Sequence, residues 1–188
     1  MTYLTVAVVL VALLGLVNFL LAVAIMARLR EHSQRLSDAD AAPQPSMLGI
    51  GQTIAEFEAP TTSGRMLTRR DLTAGSLVAF FSPGCSSCLE QLSDFTTRTM
   101  GWADGKVIAV VVADPSQSTQ SLVRDLEKTA EVVVERHDGT LGTAFQLKGV
   151  PAMCLVGTDG RATAVGASLD ELLGTGEAKK LLLVRATE

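Results

Sequence analysis

The amino-acid sequence predicts an α/β fold in which a mixed β-sheet is flanked by helices and preceded by one transmembrane helix. Three observations support this prediction. Residues 4–26 form one long apolar run near the N-terminus. Farther along the chain, short apolar runs alternate with segments of helical periodicity, which is typical of an α/β sandwich. Finally, Asp159-Gly160 lies between two apolar runs, a strong signal for a β-hairpin that adds antiparallel strands to the sheet.

Length and composition restrict the classes of function. The chain has 188 residues, enough for one domain and a short additional element. The net charge of −4 provides no basic stripe for a phosphate backbone, and aromatic residues make up only 4% of the chain, so nucleic acid is excluded as a partner. Three cysteines are too few for a disulfide scaffold.

Residues 4–26 are predicted to be a transmembrane helix that anchors the chain in the cell membrane as a single span. No charged residue occurs within residues 1–27. As a helix, residues 4–26 would be roughly 34 Å long, slightly more than the ~30 Å hydrocarbon core of a bilayer. A cleaved signal peptide is the alternative, but its basic start is missing and the apolar run exceeds the usual length.

Residues 27–47 lose the apolar pattern and are predicted to be a juxtamembrane linker, which contains Pro43 and Pro45. Arg28, Arg30 and Arg35 follow the apolar run directly, and no basic residue precedes it. By the positive-inside rule these arginines favour a cytoplasmic location for the rest of the chain. This conflicts with the extracytoplasmic location expected below.

Residues 48–188 are predicted to form the α/β domain. An extended segment at residues 54–60 leads into a hairpin at 61–68. Further strands are predicted at residues 77–81, 107–113, 132–134, 152–157 and 162–165, and helices at 85–99, 118–130 and 141–147. In the first helix the apolar spacing places Leu89, Leu92, Phe95 and Thr99 inward. A capping-box pattern at Ser168 starts a final helix.

The candidate site is the pair Cys85 and Cys88, at the turn from a buried strand into a helix. Cysteines three residues apart on the first helical turn share a face and can form a disulfide. The helix N-terminus stabilises a thiolate on Cys85, and Cys88, one turn deeper, suits the resolving role.

Two alternative interpretations of the cysteine pair are open. A structural pair would be inert, and a zinc site would need further ligands from His32, His137 and Cys154.

Gly149-Val150-Pro151 immediately precedes the strand predicted at residues 152–157. Together with the cysteine pair, this arrangement resembles the thioredoxin superfamily, which implies a thioredoxin-like fold and a cis bond before Pro151 that exposes backbone groups to an extended client peptide. Within the superfamily, the match is with membrane-anchored members. Residues 50–64 resemble the lead-in of TlpA-like and peroxiredoxin-like domains, and GVPAMCLVGTDGRA resembles their proline loop and hairpin. The phrase FFSPGCSSC, preceded by a single apolar run, is most similar to the MauD group of methylamine dehydrogenase maturation proteins.

Two positions depart from the thioredoxin pattern. Gly84 stands where thioredoxins have a tryptophan, and Ala79 stands where they have a buried acid that assists the second cysteine. Cys154 falls on an apolar strand and is interpreted as a buried small hydrophobic residue, and His137 as a turn residue.

The resemblance implies a protein disulfide oxidoreductase with Cys85, Cys88 and Pro151 as site residues and no cofactor. Its partners would be thiols or disulfides of exported proteins and a membrane thiol protein, and its domain would face the extracytoplasmic side.

Two other functions use the same cysteines. A peroxiredoxin-type peroxidase would use Ser82, three residues before Cys85, and needs an arginine beside the thiolate. A binding module would deliver a soft metal such as copper.

Overall fold

The computed structural model describes residues 46–174 and six residues nearer the N-terminus, which are helical: Tyr3, Thr5, Val6, Leu10, Leu13 and Leu14. Within these described residues, no helix has the length and apolar character needed to cross a membrane. Most of the predicted span at residues 4–26 and of the linker at 27–47 lies outside the described residues, so both stay predictions.

The centre of the domain is a five-stranded mixed sheet, and a two-stranded hairpin precedes it in the chain. The hairpin consists of β1 (Glu58–Pro60) and β2 (Met66–Thr68). The sheet contains β3 (Leu77–Phe81), β4 (Val107–Val112), β5 (Glu131–Glu135), β6 (Ala152–Val156) and β7 (Ala162–Gly166). Their spatial order is β5-β4-β3-β6-β7, with β3, β4 and β5 mutually parallel and β6 and β7 antiparallel to their neighbours. The mixed sheet is as predicted.

Helices flank this sheet as predicted. They are α1 (Ser86–Thr99), α2 (Gln120–Leu126), α3 (Thr140–Ala144) and α4 (Leu169–Gly174). A single turn of 3-10 helix, Arg69–Asp71, follows β2. The second helix is shorter than predicted, and residues 127–130 form a turn in which Thr129 N–H donates to the carbonyl of Leu126 at 3.1 Å.

Every residue of β3 and β4 is buried, because both faces of the sheet are covered. On one face, side chains such as Ala79 and Phe81 pack with residues of α1, α2 and α4. On the other face, Val78 and Phe80 pack with α3 and with the segment that leads into β1. Continuous apolar strands therefore belong in the middle of this sheet, where a polar side chain would have no access to water.

The segment before β1 is less regular than predicted. The strand begins at Glu58 rather than at residue 54, and Ile54 and Phe57 reach the core from irregular backbone. Met47 and Leu48 are each only 1% exposed, and Leu48 N–H donates to the carbonyl of Phe145 at 2.8 Å. Met47, the last residue of the predicted linker, thus packs against the domain.

The hairpin between β6 and β7 turns at Asp159-Gly160, as predicted. Gly160 has φ +71°, a left-handed conformation that glycine adopts without steric cost. After β7, Ser168 caps α4: its hydroxyl accepts a hydrogen bond from Glu171 N–H at 3.2 Å. The Glu171 carboxylate accepts from Ala167 N–H at 2.7 Å, one residue before the partner of an ideal capping box.

Candidate functional site

Cys85 is the N-cap residue of α1. The chain leaves β3 at Phe81, turns through Ser82-Pro83-Gly84 and enters the helix at Ser86. Cys85 has extended backbone angles, φ −104° and ψ 110°, and its Sγ accepts a hydrogen bond from Cys88 N–H at 3.2 Å. This bond satisfies one of the N–H groups that a helix start leaves without a partner. A thiolate at the same position would receive the same N–H and the positive end of the helix dipole.

Cys85 and Cys88 are joined by a disulfide, with their Cα atoms 5.2 Å apart. The two sulfurs differ in access. Cys85 is partly exposed, whereas Cys88 is fully buried. A disulfide is opened by a thiolate that reaches one of its sulfur atoms. The approach from solvent is therefore open at Cys85 and closed at Cys88.

The loop Gly149-Val150-Pro151 lies directly beside Cys85. Because β6 runs antiparallel to β3, with Phe80 opposite Ala152, the residues before β6 lie at the edge where β3 ends. The Val150–Pro151 bond is cis, and the carbonyl oxygen of Val150 lies 3.6 Å from Cys85 Sγ. The structure thus brings the three predicted site residues together at one edge of the sheet.

A cavity of about 340 Å³ opens next to Cys85. It lies where the carboxyl ends of the parallel strands β3, β4 and β5 meet. Its polar lining includes Asp114 and Gln117 after β4 and His137 after β5, and Gly84 forms part of its wall. Sequence reasoning did not include these residues in the site. The parallel pairing of the three strands would have been the signal, because loops after parallel strands share one edge.

No protein-family profile matches the chain, and no curated protein sequence matches it significantly. Solved structures do match. The thioredoxin domain of a thiol-disulfide oxidoreductase from Bacteroides vulgatus superimposes with a TM-score of 0.57 at 17% identity, covering 71% of this chain and 98% of that one. A thiol:disulfide interchange protein from a Bacteroides species gives 0.55 at 17% identity, covering 68% and 88%. The exposed lipoprotein thioredoxin of Streptococcus pneumoniae gives 0.52 at 21% identity, covering 67% and 99%.

The fold is thioredoxin-like. This likeness establishes the architecture that the resemblance implied, and at these identities it establishes the fold alone. The chemistry of the site follows from its own geometry: a disulfide with one accessible and one buried sulfur, at a helix N-terminus, can exchange with external thiols.

One prediction about α1 in the thioredoxin-like domain is wrong. Leu89 was placed on the inward face, but it is 49% exposed. Phe95 and Thr99 are buried and Leu92 is partly buried, as predicted, and Cys88 completes the buried face in place of Leu89. These four residues follow the i, i+4, i+7, i+11 spacing of a single stripe. Leu89 lies one position outside that stripe, on the surface beside the cysteines.

Cys154 is a buried free cysteine, as predicted. Burial raises the pKa of its thiol to about 12. It packs in the core on one face of the sheet, and Cys88 packs on the other face. The Cys154 thiol therefore stays protonated and is separated from the redox pair by the sheet.

Position 79 is completely buried in the strand that leads to Cys85. It provides no proton acceptor, because the side chain of Ala79 is a methyl group.

The alternative functions receive little support from the site. The cavity beside Cys85 has no arginine in its lining, which a peroxidase of the peroxiredoxin type would need. In the part of the chain that the structure describes, no cluster of three or more His, Cys, Asp or Glu side chains is placed to hold a metal ion.

Proposed function

We propose that the protein is a thiol–disulfide oxidoreductase in which Cys85 is the nucleophile and Cys88 the resolving thiol. The observation that carries this proposal is the difference in access within one disulfide. Cys85 is partly exposed at the start of α1, and Cys88 is fully buried behind it.

As an oxidant, the protein accepts two electrons from a client. A client thiolate attacks Cys85 Sγ, the bond between Cys85 and Cys88 breaks, and Cys88 leaves as a thiolate. A second client thiolate then attacks the client sulfur of the mixed disulfide, which forms the client disulfide and releases reduced Cys85. As a reductant, the protein runs these steps in reverse. The reduction potentials of the client and of the second thiol partner set the direction.

Residues around the pair support each step. The N–H of Cys88, 3.2 Å from Cys85 Sγ in the oxidised form, is placed to stabilise a Cys85 thiolate. The Ser87 hydroxyl is also 3.2 Å from this sulfur. The carbonyl oxygen of Val150 lies 3.6 Å from the same sulfur. The loop that ends at Pro151 can therefore pair its backbone with an extended client next to the sulfur under attack.

We further propose that residues 4–26 anchor the protein in the cell membrane and that the domain faces the extracytoplasmic side. The uncharged apolar run supports the anchor. A stable disulfide favours an oxidising compartment, whereas Arg28, Arg30 and Arg35 favour the cytoplasm. Protease added to intact, wall-stripped cells should digest the domain while a cytoplasmic marker protein survives. Survival of the domain until the cells are lysed would reverse the orientation.

The proposed clients are cysteines of exported proteins, and the proposed second partner is a membrane thiol protein. The finer assignment to the MauD type, with a role in maturing a partner enzyme, rests on the similarity of FFSPGCSSC and the preceding apolar run.

Trapping tests this proposal in the native membrane. A Cys88→Ser variant keeps the nucleophile but lacks the resolving thiol, so it should accumulate a mixed disulfide with its client that a reductant releases. The matched control is the double variant that also carries Cys85→Ser, which should trap nothing. Equal trapping by the single and double variants would contradict the assignment of Cys85. Mass spectrometry of the released protein identifies the client.

A further inference from the structure

The cavity beside Cys85, called here the Asp114 cavity, has a size and position suited to a side chain of the client. Its volume is about 340 Å³. This lies at the lower end of the range for ligand sites, so the cavity can hold one long side chain but not a large cofactor. Cys85 and Val150 both border it. A client peptide that pairs with the Pro151 loop must therefore pass along its mouth.

Gly84 lines the cavity and has no side chain that would narrow it. A Cβ atom built on Gly84 would lie 2.9 Å from Gln117 Nε2, closer than normal van der Waals contact. Any larger residue at this position would displace the Gln117 side chain or fill the space. Where thioredoxins carry a tryptophan, this chain thus has an opening that leads from Cys85 to the loop after β4.

The loop after β4 holds Asp114 in place at the cavity. Asp114 N–H donates to the side-chain oxygen of Gln117 at 2.9 Å, and Gln117 N–H donates back to the Asp114 carbonyl at 2.9 Å. These reciprocal bonds fix the turn and leave the Asp114 carboxylate outside them. The Asp114 side chain, which is exposed, is thus left available to an incoming cation.

Asp114 is the only acidic residue in the lining of the cavity. Neither lysine nor arginine lines it, and His137 is the one basic side chain there. Among the described residues, Asp114 has no ion-pair partner. An unpaired carboxylate beside the attacked sulfur attracts a cation and repels an anion.

We propose that the Asp114 cavity binds a lysine or arginine side chain within two positions of the reacting cysteine of the client, with Asp114 as its charge partner. This inference rests on the proposed oxidoreductase function and adds the class of client sequence to it. The two-position limit follows from strand geometry, since a rise of about 3.3 Å per residue keeps only near neighbours of the client cysteine within reach of the cavity.

The test measures thiol exchange between the oxidised full-length protein and three single-cysteine peptides that differ only in flanking lysine, alanine or glutamate. Each rate is divided by the rate of the same peptide with a small disulfide, which removes the effect of the flanking charge on the peptide thiol itself. The wild-type protein should react about three- to fivefold faster with the lysine peptide than with the glutamate peptide, the upper part of the range expected for one ion pair at an exposed carboxylate.

Variants separate the cavity from the general charge of the protein. Asp114→Asn should reduce the preference for lysine to less than about twofold, and Asp114→Lys should reverse it in favour of the glutamate peptide. Asp125→Asn is the matched control. It removes one negative charge from α2, where Asp125 pairs with Lys128, and should keep the wild-type ratio. Gly84→Leu, which fills the opening, should also abolish the preference.

Equal normalised rates of the wild-type protein with all three peptides would overturn the assignment of the cavity and leave the proposed function standing. An equal loss of preference in Asp114→Asn and Asp125→Asn would overturn it too, because the preference would then come from net charge. If the protein exchanges with none of the peptides and with no small thiol, the proposed function itself fails.

Discussion

Ser87→Ala tests how the structure stabilises a thiolate on Cys85. The Ser87 hydroxyl lies 3.2 Å from Cys85 Sγ, and it is the donor because a disulfide sulfur carries no hydrogen. In the reduced protein the same hydroxyl would donate to the thiolate. Hydrogen bonds to charged groups contribute ~1.5–3 kcal/mol. Because Ser87 is exposed, water replaces part of this contribution. We therefore expect the Cys85 thiolate to lose about 1 kcal/mol of stabilisation in the variant.

A loss of about 1 kcal/mol moves the pH midpoint of thiolate formation upward by about 0.7 and reduces the thiolate fraction about fivefold at pH values well below the midpoint. The remaining thiolate is more nucleophilic, with a Brønsted coefficient of about 0.4–0.5. This opposing effect raises the alkylation rate roughly twofold. The net alkylation of Cys85 in mildly acidic buffer should therefore slow by about two- to threefold.

The assay is alkylation of the reduced protein across a pH series, with the modified cysteine identified by mass spectrometry. In the wild-type protein Cys85 should react before Cys88 and Cys154, which are both buried. Ser86→Ala is the matched control. Ser86 is also exposed, and among the hydrogen bonds of the described residues none joins it to the sulfur of Cys85. The reasoning is refuted if both serine variants shift the midpoint equally, or if neither does.

Three further predictions follow from burial. Cys154→Ala should leave the rate of thiol exchange unchanged, because burial raises the pKa of this thiol to about 12; a slower exchange by the folded variant would give Cys154 a redox role. Met47→Ala should destabilise the domain by about 2–5 kcal/mol in urea unfolding, since Met47 is 1% exposed, and a cost near zero would contradict its packing in the core. Burial also raises the pKa of Glu135, against the hydrogen bonds from the N–H groups of Gly142 and Leu141 that lower it. A carboxyl group whose pKa is raised in the folded state contributes stability that is present at low pH and lost as the pH rises through that pKa. The wild-type protein should therefore gain stability relative to Glu135→Gln as the pH falls from neutral toward 4.5. Unfolding measured across this pH range checks this, and the opposite trend would refute it.

The elements most fully predicted from the sequence are those whose environment is uniform along the segment. The strand at residues 77–81 has the predicted bounds, because every residue in it is buried and apolar. The turn at Asp159-Gly160 was predicted because glycine alone meets its backbone requirement at no cost. Leu89 shows the limit of this reasoning. An apolar spacing fits more than one helix face, and only the packing of α1 on the sheet selects the buried one.

The sequence by itself determined which residues form the candidate site: two cysteines at a strand-to-helix turn, and a proline before a later strand. Local rules are enough for these, because the helix start and the spacing of the cysteines depend on neighbouring residues. Only the tertiary structure decided what surrounds the sulfur. The loops that carry Val150, Asp114 and His137 are distant from Cys85 in the chain. They lie next to Cys85 because β5, β4, β3 and β6 are consecutive neighbours in one sheet. Strand order is a property of the whole packed sheet, so no local pattern in the chain carries it.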